Sequence, residues 1–426
     1  MKSMLLITHE YPFKYGDASF VETEIFFLSK KFKKIYVLCL NGLNHKNKGT
    51  LDLPENVKVI FFQPTLKKKM KEKWQIIMSL PLFLCKPVFV KELLSLFKAG
   101  KFSKKYFKSA CIFLFYALSF QKTIGQILQS DREIGVVYTF WYKHETLGAL
   151  LLRNKYKNIF FVTRVHGYDL YEFQNSLGYQ EYKLWMDKTI DKIFFVSQHG
   201  YDYYLNKFAQ SGPHKYTIAR LGIFNKFYYE IKKRSPGSAF VLCSCSYIVP
   251  VKRMHLIVEA LGKIDDCKIH WIHIGTGPSE DAILSKAKEL LESKQNISCD
   301  FKGFMPNAQI MQFYSENHID CFITTSESEG GCPVSINEAI SFGIPVIATE
   351  VGGIPEIVNT GFGILLSPSG RIEEIKEAIV RFCTLSEDRM LSMRQSARLF
   401  WESNFSAEIR HAEFSQKLQS LTEGRG

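Results

Sequence analysis

The chain alternates short runs of β-branched and aromatic residues with longer stretches in which apolar residues recur at helical spacing. This alternation predicts parallel sheets with helices on both faces, because neighbouring parallel strands are joined through a helix that packs back on the sheet. With 426 residues, 46% of them hydrophobic, the chain can bury two cores of ordinary size. The sequence therefore predicts an α/β fold made of two doubly wound, Rossmann-like domains.

Thirteen of the short runs are predicted as strands, and they fall into two groups. The first group is 4–8, 35–40, 57–62, 135–140, 159–164, 192–197 and 217–220, and the second is 240–244, 268–274, 297–303, 321–325, 345–348 and 363–366. A charged, turn-rich stretch at 232–237 separates the groups. We predict a first domain over 1–230, a second over 231–402, and a tail helix within 403–426 that packs back on the first. Ligands of doubly wound sheets lie beyond the carboxyl ends of the strands, so the site is expected in a cleft across which the domains face each other.

Basic residues are concentrated in the first half of the chain. Residues 1–230 carry 35 Lys and Arg against 18 Asp and Glu, whereas 231–426 carry 20 against 24. An excess of this size suggests an anionic partner: a phospholipid surface, a phosphate-bearing substrate or nucleic acid. No RNA- or DNA-binding motif accompanies the charge, so lipid and phosphate are favoured and no nucleic-acid partner is expected.

The segment Lys67–Lys108 holds 12 Lys and 2 Glu interleaved with aromatic residues. This pattern favours docking on an anionic membrane surface, and a solvated basic helix pair over the first core is the alternative. The longest apolar run nearby, Trp74–Cys85, is well short of the roughly 20 residues that a spanning helix needs. Without a secretory leader at the start, we expect a cytoplasmic protein that is peripheral to the inner face of the cell membrane.

The ten cysteines mostly lie within apolar runs and lack the spacing of metal ligands. They are therefore interpreted as reduced core residues. An Asp-x-Asp motif is also missing from the sequence, so neither a metal site nor a cofactor is expected.

A strand, a polar loop and a helix start follow one another at Ile319–Ala339. The apolar run Ile319–Ile323 is predicted as a buried strand, and Pro333 as the first position of a helix. Two glycines in the loop, Gly330 and Gly331, allow a ligand to approach the backbone amides of the helix start. Glu329 and Glu338 flank this opening, and their carboxylates can bind sugar hydroxyls.

Two further turns carry residues with site chemistry. Lys252 and Arg253 lie between a strand end and a helix start, where cationic side chains and backbone amides can bind a diphosphate; a solvated helix start is the alternative. His166 closes a strand at the predicted mouth of the cleft, and a histidine satisfied within a strand-to-helix turn is the alternative. Asp169 either orients this loop or caps the following helix at Leu170, and the capping role is favoured.

These motifs together resemble the retaining glycosyltransferases of family 4, which have the two-domain GT-B architecture. The two glutamates resemble the acidic donor-sugar motif of that family, although eight residues lie between them here and seven in the usual form. Ser246 stands where the family commonly has an arginine, and Arg253 is expected to supply that charge. The resemblance covers nearly the whole chain and is closest to bacterial enzymes of capsule, O-antigen and exopolysaccharide synthesis.

The resemblance implies a role for each of these residues. His166, Glu329 and Glu338 are implied to be catalytic, with His166 next to the donor sugar. The donor diphosphate is expected at Lys252, Arg253 and the flexible Gly16, and the donor sugar or nucleotide at Gly275, Gly277, Gly303, Phe304, Gly330, Gly331 and Glu338. As in other enzymes of this architecture, the charge of the leaving diphosphate would be met without a metal ion.

The implied activity is that of a retaining, metal-independent hexosyltransferase. The donor would be a UDP- or GDP-sugar, and the acceptor a lipid-linked glycan in bacterial surface polysaccharide biosynthesis. Two alternatives stay open: a sugar-nucleotide epimerase on the same architecture, and a catalytically silent subunit that binds a sugar nucleotide.

Overall fold

The computed structural model describes residues 1–13, 16–42, 49–63, 69–227, 230, 233–235 and 237–423. Lys67, Lys68, Lys232 and Pro236, which belong to the predicted membrane segment and the predicted linker, lie outside the described residues. The chain divides into two compact units, the first made of residues 1–220 and 411–426 and the second of residues 221–410.

The first unit is built on a seven-stranded, all-parallel sheet with the order β3-β2-β1-β4-β5-β6-β7. Its elements are β1 (Ser3–Thr8), α1 (Ala18–Ser29), β2 (Ile35–Cys39), β3 (Val57–Phe61), α2 (Lys69–Met78), α3 (Leu80–Leu84), α4 (Pro87–Lys98), α5 (Lys104–Ser130), β4 (Ile134–Thr139), α6 (His144–Leu150), β5 (Phe160–Val165), α7 (Lys183–Thr189), β6 (Lys192–Phe195), α8 (Gln198–Lys207) and β7 (Tyr216–Ile218). The strand order reverses between β1 and β4, where Leu6 is paired with Tyr138. Ligands bind at such a reversal in doubly wound sheets.

The second unit has a six-stranded, all-parallel sheet with the order β10-β9-β8-β11-β12-β13. Its elements are β8 (Phe240–Cys245), α9 (Met254–Gly262), β9 (Ile269–Ile274), α10 (Glu280–Leu291), β10 (Ile297–Phe301), α11 (Asn307–Glu316), β11 (Cys321–Thr324), α12 (Val334–Ser341), β12 (Val346–Thr349), β13 (Gly363–Leu366), α13 (Ile372–Cys383) and α14 (Glu387–Asn404). The last helix, α15 (Ala407–Glu423), begins in the second unit and continues into the first. All thirteen predicted strands are present, with ends within two residues of the prediction, and the α/β class with two doubly wound sheets is confirmed.

Helix α5 is long and apolar enough to cross a membrane by length and composition alone, and half of its most apolar window is buried. Eight of its residues lie in the core of the first unit. A Cβ added at Gly148 of α6 would come within 2.5 Å of the Ala117 carbonyl oxygen, so the two helices touch at backbone distance. These contacts make α5 a core helix, which the sequence analysis did not single out.

A buried ion pair in the first unit adjoins the last helix. Arg164 on β5 contacts Glu24 on α1, and both side chains are fully buried. His411 Nδ1 of α15 lies 3.5 Å from the same carboxylate, and the guanidinium of Arg164 lies 4.1 Å from the centre of the Phe414 ring. Burial alone would raise the pKa of Glu24, but Arg164 and His411 hold it below its ordinary value.

Replacing Glu24 with alanine should therefore destabilise the first unit by about 3–5 kcal/mol, because the charge of Arg164 is left buried without a partner. Glu133→Ala is the matched control, since Glu133 pairs with Lys33 at an exposed site and its loss should cost about 1 kcal/mol or less. Chemical denaturation of both variants checks this. Equal losses of stability would show that the buried pair contributes no more than a surface pair.

Candidate functional site

Three loops at the carboxyl ends of β8, β9 and β10 are joined by backbone hydrogen bonds. The Ser246 N–H donates to the Ile274 carbonyl at 3.0 Å, the Ile248 N–H to the Thr276 carbonyl at 2.9 Å, and the Gly275 N–H to the Gly303 carbonyl at 2.9 Å. These bonds bring the glycine-rich turn of β9 against the loop that follows β8. The predicted nucleotide-binding segments therefore lie side by side in the second unit.

The glycines of the turn are needed for this close approach. A Cβ added at Gly275 would lie 2.0 Å from the Ser246 carbonyl oxygen, and one added at Gly277 would lie 2.3 Å from that of Ile248. Gly303 differs, because an added Cβ would meet only the Thr276 methyl at 4.0 Å. The neighbouring Phe304 is 75% exposed. Gly275 and Gly277 thus pack the loops, while Gly303 and Phe304 border open surface.

Lys252 and Glu329 form an ion pair at this edge of the second sheet. Lys252 Nζ lies 2.5 Å from Glu329 Oε1, and the Ser326 hydroxyl donates to the same oxygen at 2.6 Å. Both charged side chains are partly buried, with 24% of Lys252 and 13% of Glu329 exposed. The residue predicted to bind the diphosphate and the first predicted glutamate are thus brought together, despite the longer glutamate spacing.

Arg253 has a different environment from the predicted one. Its Nε donates to the Thr325 carbonyl at 2.8 Å and its Nη1 to that of Ser369 at 2.9 Å. Its Nη2 donates to the carbonyls of Ser326 and Pro368, both at 2.9 Å. Four of the five guanidinium N–H groups are thereby used. The expectation that Arg253 replaces the arginine missing at Ser246 is not supported, because this side chain links three loops of the second unit.

The glutamate loop packs on a second glycine turn. A Cβ added at Gly352 would lie 1.9 Å from the Glu329 carbonyl oxygen, and one added at Gly353 would lie 2.6 Å from the Gly331 carbonyl. Gly352 also has a positive φ of 54°, a conformation that disfavours side chains. The segment after β12 therefore packs directly against the backbone of Glu329 and Gly331.

Glu338 lies on α12 and is only 4% exposed. Its Oε1 accepts a hydrogen bond from the Asn307 amide at the start of α11, while its Oε2 has no hydrogen-bond partner among the described residues. Burial raises the pKa of Glu338 to about 7, although the bond from Asn307 acts in the opposite direction. The sequence predicts a carboxylate that contacts hydroxyls of the donor. The structure places this carboxyl group in a buried position on α12, and the contact with the donor stays a prediction.

In the first unit, Asp17 organises the loop after β1. Its carboxylate accepts from the backbone N–H groups of His9 at 2.7 Å, Glu10 at 2.9 Å and Tyr11 at 2.9 Å. Gly16, immediately before it, has a φ of 57° and lies so close to Glu10 that a Cβ would come within 2.7 Å of the Glu10 Cγ. The flexible point predicted at Gly16 is therefore a position that favours glycine.

His166 follows β5 and is 9% exposed. Its ring lies 4.7 Å from the Phe140 ring and 4.6 Å from the Trp141 ring, and neither ring nitrogen has a hydrogen-bond partner among the described residues. Its Nδ1 lies 3.9 Å from Asp169 Oδ2, so the role next to the donor sugar and the alternative of a histidine satisfied within the turn both stay predictions. Asp169 does not cap a helix, since its two oxygens accept the backbone N–H groups of Tyr142 and His166, each at 2.8 Å.

Sequence reasoning missed a second cluster in the first unit. His9, His144 and Glu145 meet at the carboxyl ends of β1 and β4. His9 and Glu145 are 136 residues apart in the chain, and no local pattern signals their contact. Only the adjacency of β1 and β4 in the sheet could have predicted it. Among the described residues, no group of three or more His, Cys, Asp or Glu side chains is placed to hold a metal ion.

Comparison with known proteins agrees with this architecture. Residues 228–399 match the family model described as Glycosyl transferases group 1. WcaL of Salmonella typhimurium, which carries the name of a colanic acid biosynthesis glycosyltransferase, is 23% identical over 49% of this chain and 52% of its own length. The chain thus spans about half the length of that relative. The resemblance to glycosyltransferases is confirmed.

Solved structures share the fold over nearly the whole chain. Sucrose-phosphate synthase from Thermosynechococcus elongatus superposes with a TM-score of 0.72 at 14% identity, covering 100% of both chains. HepE of Anabaena, solved in complex with UDP and glucose, has a TM-score of 0.62 at 16% identity and covers 99% of this chain and 100% of its own. The predicted GT-B class is confirmed.

The raised pKa of Glu338 predicts a pH-dependent stability of the second unit. The folded state keeps the proton up to pH of about 7, whereas the unfolded chain releases it near 4.5, so stability should fall as pH rises from 4.5 and level off above 7. The total loss should be about 3 kcal/mol. Glu338→Gln should remove this loss and be more stable than the wild type at pH 8. Denaturation of both proteins across pH 5–8 measures this. The prediction is contradicted if the free energies of unfolding of the two proteins change with pH in the same way.

Proposed function

We propose that this chain is a retaining glycosyltransferase that moves a hexosyl group from a nucleotide diphosphate donor to a lipid-linked glycan in bacterial surface polysaccharide synthesis. The second unit would bind the donor, which is UDP- or GDP-linked, and the first unit would bind the acceptor. The observation that carries the proposal is the Lys252–Glu329 pair beside the packed glycine turns. UDP complexes of HepE, which shares the fold, support a nucleotide sugar as the donor class.

The ion pair suggests how the donor is received. In the absence of ligand, Lys252 is neutralised by Glu329. A diphosphate, with more negative charge than one carboxylate, would take over the ammonium group and leave Glu329 free for sugar hydroxyls. Glu338 would receive a donor hydroxyl at Oε2, because Asn307 already occupies Oε1. Phe304, which is exposed, would offer an aromatic face for the base beside Gly303.

The proposed transfer is a front-face reaction without a protein base. The bond between the anomeric carbon and the diphosphate oxygen breaks while the acceptor oxygen bonds to the same face of that carbon. The acceptor proton passes to an oxygen of the leaving diphosphate, so atoms and charge balance. Lys252 would stabilise the growing negative charge electrostatically, and His166, whose ring nitrogens make no hydrogen bond among the described residues, would bind the transferred sugar.

A sugar-nucleotide-binding subunit without transferase activity is the second candidate. It is favoured by one observation, which concerns the charge beside Lys252. Ser246 stands where the family commonly has an arginine, and the guanidinium of Arg253 is already bonded to backbone carbonyls, so less positive charge is available to a diphosphate. Incubating the protein with a panel of nucleotide sugars and bacterial membrane extract separates the two, because only a transferase releases free nucleoside diphosphate. The released diphosphate also identifies the base.

We expect the release of nucleoside diphosphate to persist in EDTA, because the proposed reaction is independent of metal ions. Loss of release in EDTA that Mg²⁺ restores would contradict this.

Lys252→Gln should weaken binding of the matching nucleoside diphosphate by about 10- to 100-fold, since a charged hydrogen bond to the ligand is lost. Lys263→Gln is the matched control in the same unit, because Lys263 pairs with Glu373 at an exposed site. Calorimetric titration of both variants provides the measurement. Equal affinities for the two variants would remove Lys252 from the proposed site.

We also propose that the first unit docks on an anionic bilayer through helices α2–α4. Of the large hydrophobic residues that are exposed in the described chain, nine lie within residues 74–102, and they are Trp74, Ile77, Met78, Leu82, Leu84, Val90, Leu94, Phe97 and Phe102. Val90, Leu94 and Phe97 share one face of α4, opposite the face whose Phe89 and Leu96 are buried. Exposed lysines such as Lys91 and Lys98 accompany them, which suits anionic lipid headgroups.

Replacing Leu94 and Phe97 with serine should lower vesicle binding by roughly 10-fold or more at any salt concentration, because apolar burial is not screened. Lys91→Gln with Lys98→Gln should instead weaken binding mainly at low salt and in phosphatidylglycerol-rich vesicles. Leu284→Ser with Leu399→Ser, at exposed positions of the second unit, is the control. If all variants co-sediment with vesicles to the same extent, the proposed membrane surface on helices α2–α4 is wrong.

A further inference from the structure

Two histidines share one buried carboxylate at the point where the strand order of the first sheet reverses. His9 follows β1, and His144 and Glu145 follow β4, which lies beside β1. His9 Nε2 lies 3.2 Å from Glu145 Oε1, and His144 Nδ1 lies 2.6 Å from Glu145 Oε2. The carboxylate is 1% exposed, whereas about a quarter of each imidazole is exposed, at 24% for His9 and 26% for His144.

The bonding pattern fixes which ring nitrogens face outward. An ionised carboxylate only accepts hydrogen bonds, so the nitrogens that touch Glu145 both carry hydrogen. The opposite nitrogens, His9 Nδ1 and His144 Nε2, have no hydrogen-bond partner among the described residues. In the protonated state each of them becomes an N–H donor without a protein acceptor. The cluster can therefore offer two cationic donors from adjacent loops.

The surrounding charges favour the protonated state of His9. Burial alone would raise the pKa of Glu145, but His9 and His144 hold it below its ordinary value. Burial would lower the pKa of His9, yet Glu145 and Asp17 together raise it against the opposing Lys143. The Asp17 carboxylate is already engaged by three backbone N–H groups and by Trp141 Nε1 at 3.3 Å. An imidazolium at His9 then offsets the charge of the Glu145 carboxylate.

An independent observation places a third, buried histidine whose nitrogens make no hydrogen bond among the described residues next to this cluster. Trp141 stacks on His9 with ring centres 6.0 Å apart, and on its other side lies His166 at 4.6 Å. His166 is nine-tenths buried, and neither of its nitrogens makes a hydrogen bond among the described residues, with Nδ1 lying 3.9 Å from Asp169 Oδ2. Three imidazoles and an indole thus line one stretch of the carboxyl edge of the first sheet. Such an edge, at the reversal of strand order, is where doubly wound sheets bind ligands.

We propose that His9 and His144 bind an oxyanion of the acceptor, positioned by Glu145. The inference rests on the proposed function in assigning the acceptor to the first unit, and it adds that the acceptor carries a negative group there. A phosphate of the lipid carrier and a carboxylate of an acidic sugar share this chemistry. Glu145 acts as a positioning residue, because its carboxylate bonds one nitrogen of each ring and so orients the opposite nitrogens.

The test is histidine NMR of the full chain, with UDP at saturation to occupy the second unit. Inorganic pyrophosphate is titrated in one arm and glucuronate in the other, with His9→Gln and His144→Gln used to assign the resonances. We expect saturable shifts of both histidines and a rise of about half a unit or more in their pKa in the arm that matches the anion. Binding should weaken as pH rises through these pKa values. Resonances and pKa values that stay unchanged in both arms would overturn the proposal.

A kinetic arm separates this inference from the proposed function. With the donor and membrane extract that support release of diphosphate, His9→Gln should raise the apparent KM for the acceptor at least ~10-fold with a smaller effect on kcat. His214→Gln, at an exposed position of the same unit, is the control. If the wild type releases diphosphate while the histidine resonances ignore both anions, the oxyanion site is wrong and the transferase proposal stands. If no donor is turned over but the histidines bind an anion, the anion site stands, and its assignment to an acceptor falls with the transferase proposal.

Discussion

Close backbone packing at the carboxyl ends of parallel strands is the constraint on which the candidate donor site depends. All six strands of the second sheet run parallel, so their following loops emerge at one edge and must share limited space. Gly275 and Gly277 let the β9 turn touch the loop after β8, and Gly352 and Gly353 do the same beneath the glutamate loop. The absence of side chains at these four positions brings Lys252 within reach of Glu329. The arrangement of the site thus depends on close packing of the loops, and a methyl group at any of these four glycines would disturb it.

The charged groups of the candidate donor site have partners within the second unit, and two of these groups can still bind a ligand. Lys252 is neutralised by Glu329, but about a quarter of its side chain is exposed, so that it can exchange partners. Glu338 gives one oxygen to Asn307 and keeps the other without a partner among the described residues. Arg253, in contrast, is almost fully used by carbonyl groups, and it acts as a brace for the loops. A ligand that enters this site would therefore exchange with Lys252 at low cost and leave Arg253 in place.

The fold could be predicted from the sequence because parallel strands are buried on both faces and stand out as short apolar runs. The thirteen strands illustrate this, and so does the cluster of site residues after β8, β9 and β11, since each follows a strand end. The failures have a different origin. The partners of Arg253, the double contact of Asp169 and the meeting of His9 with Glu145 depend on which strands are neighbours in the sheet, and a single sequence does not give that order. Helix α5 is hard to recognise from the sequence as a core helix, because its first residues belong to the lysine-rich segment.

The last helix has a consequence for how the protein is made. Residues 411–423 of α15 belong to the first unit, although they are synthesised roughly 190 residues after Arg220, where the remainder of that unit ends. Phe414 and Leu418 are buried in the core of the first unit, and His411 contacts its buried glutamate. On the ribosome the first unit must therefore wait, with part of its core uncovered, until the whole second unit has emerged. The order of translation and the order of domain completion are reversed in this chain, so exposure to chaperones and proteases during synthesis should fall mainly on the unit that is translated first.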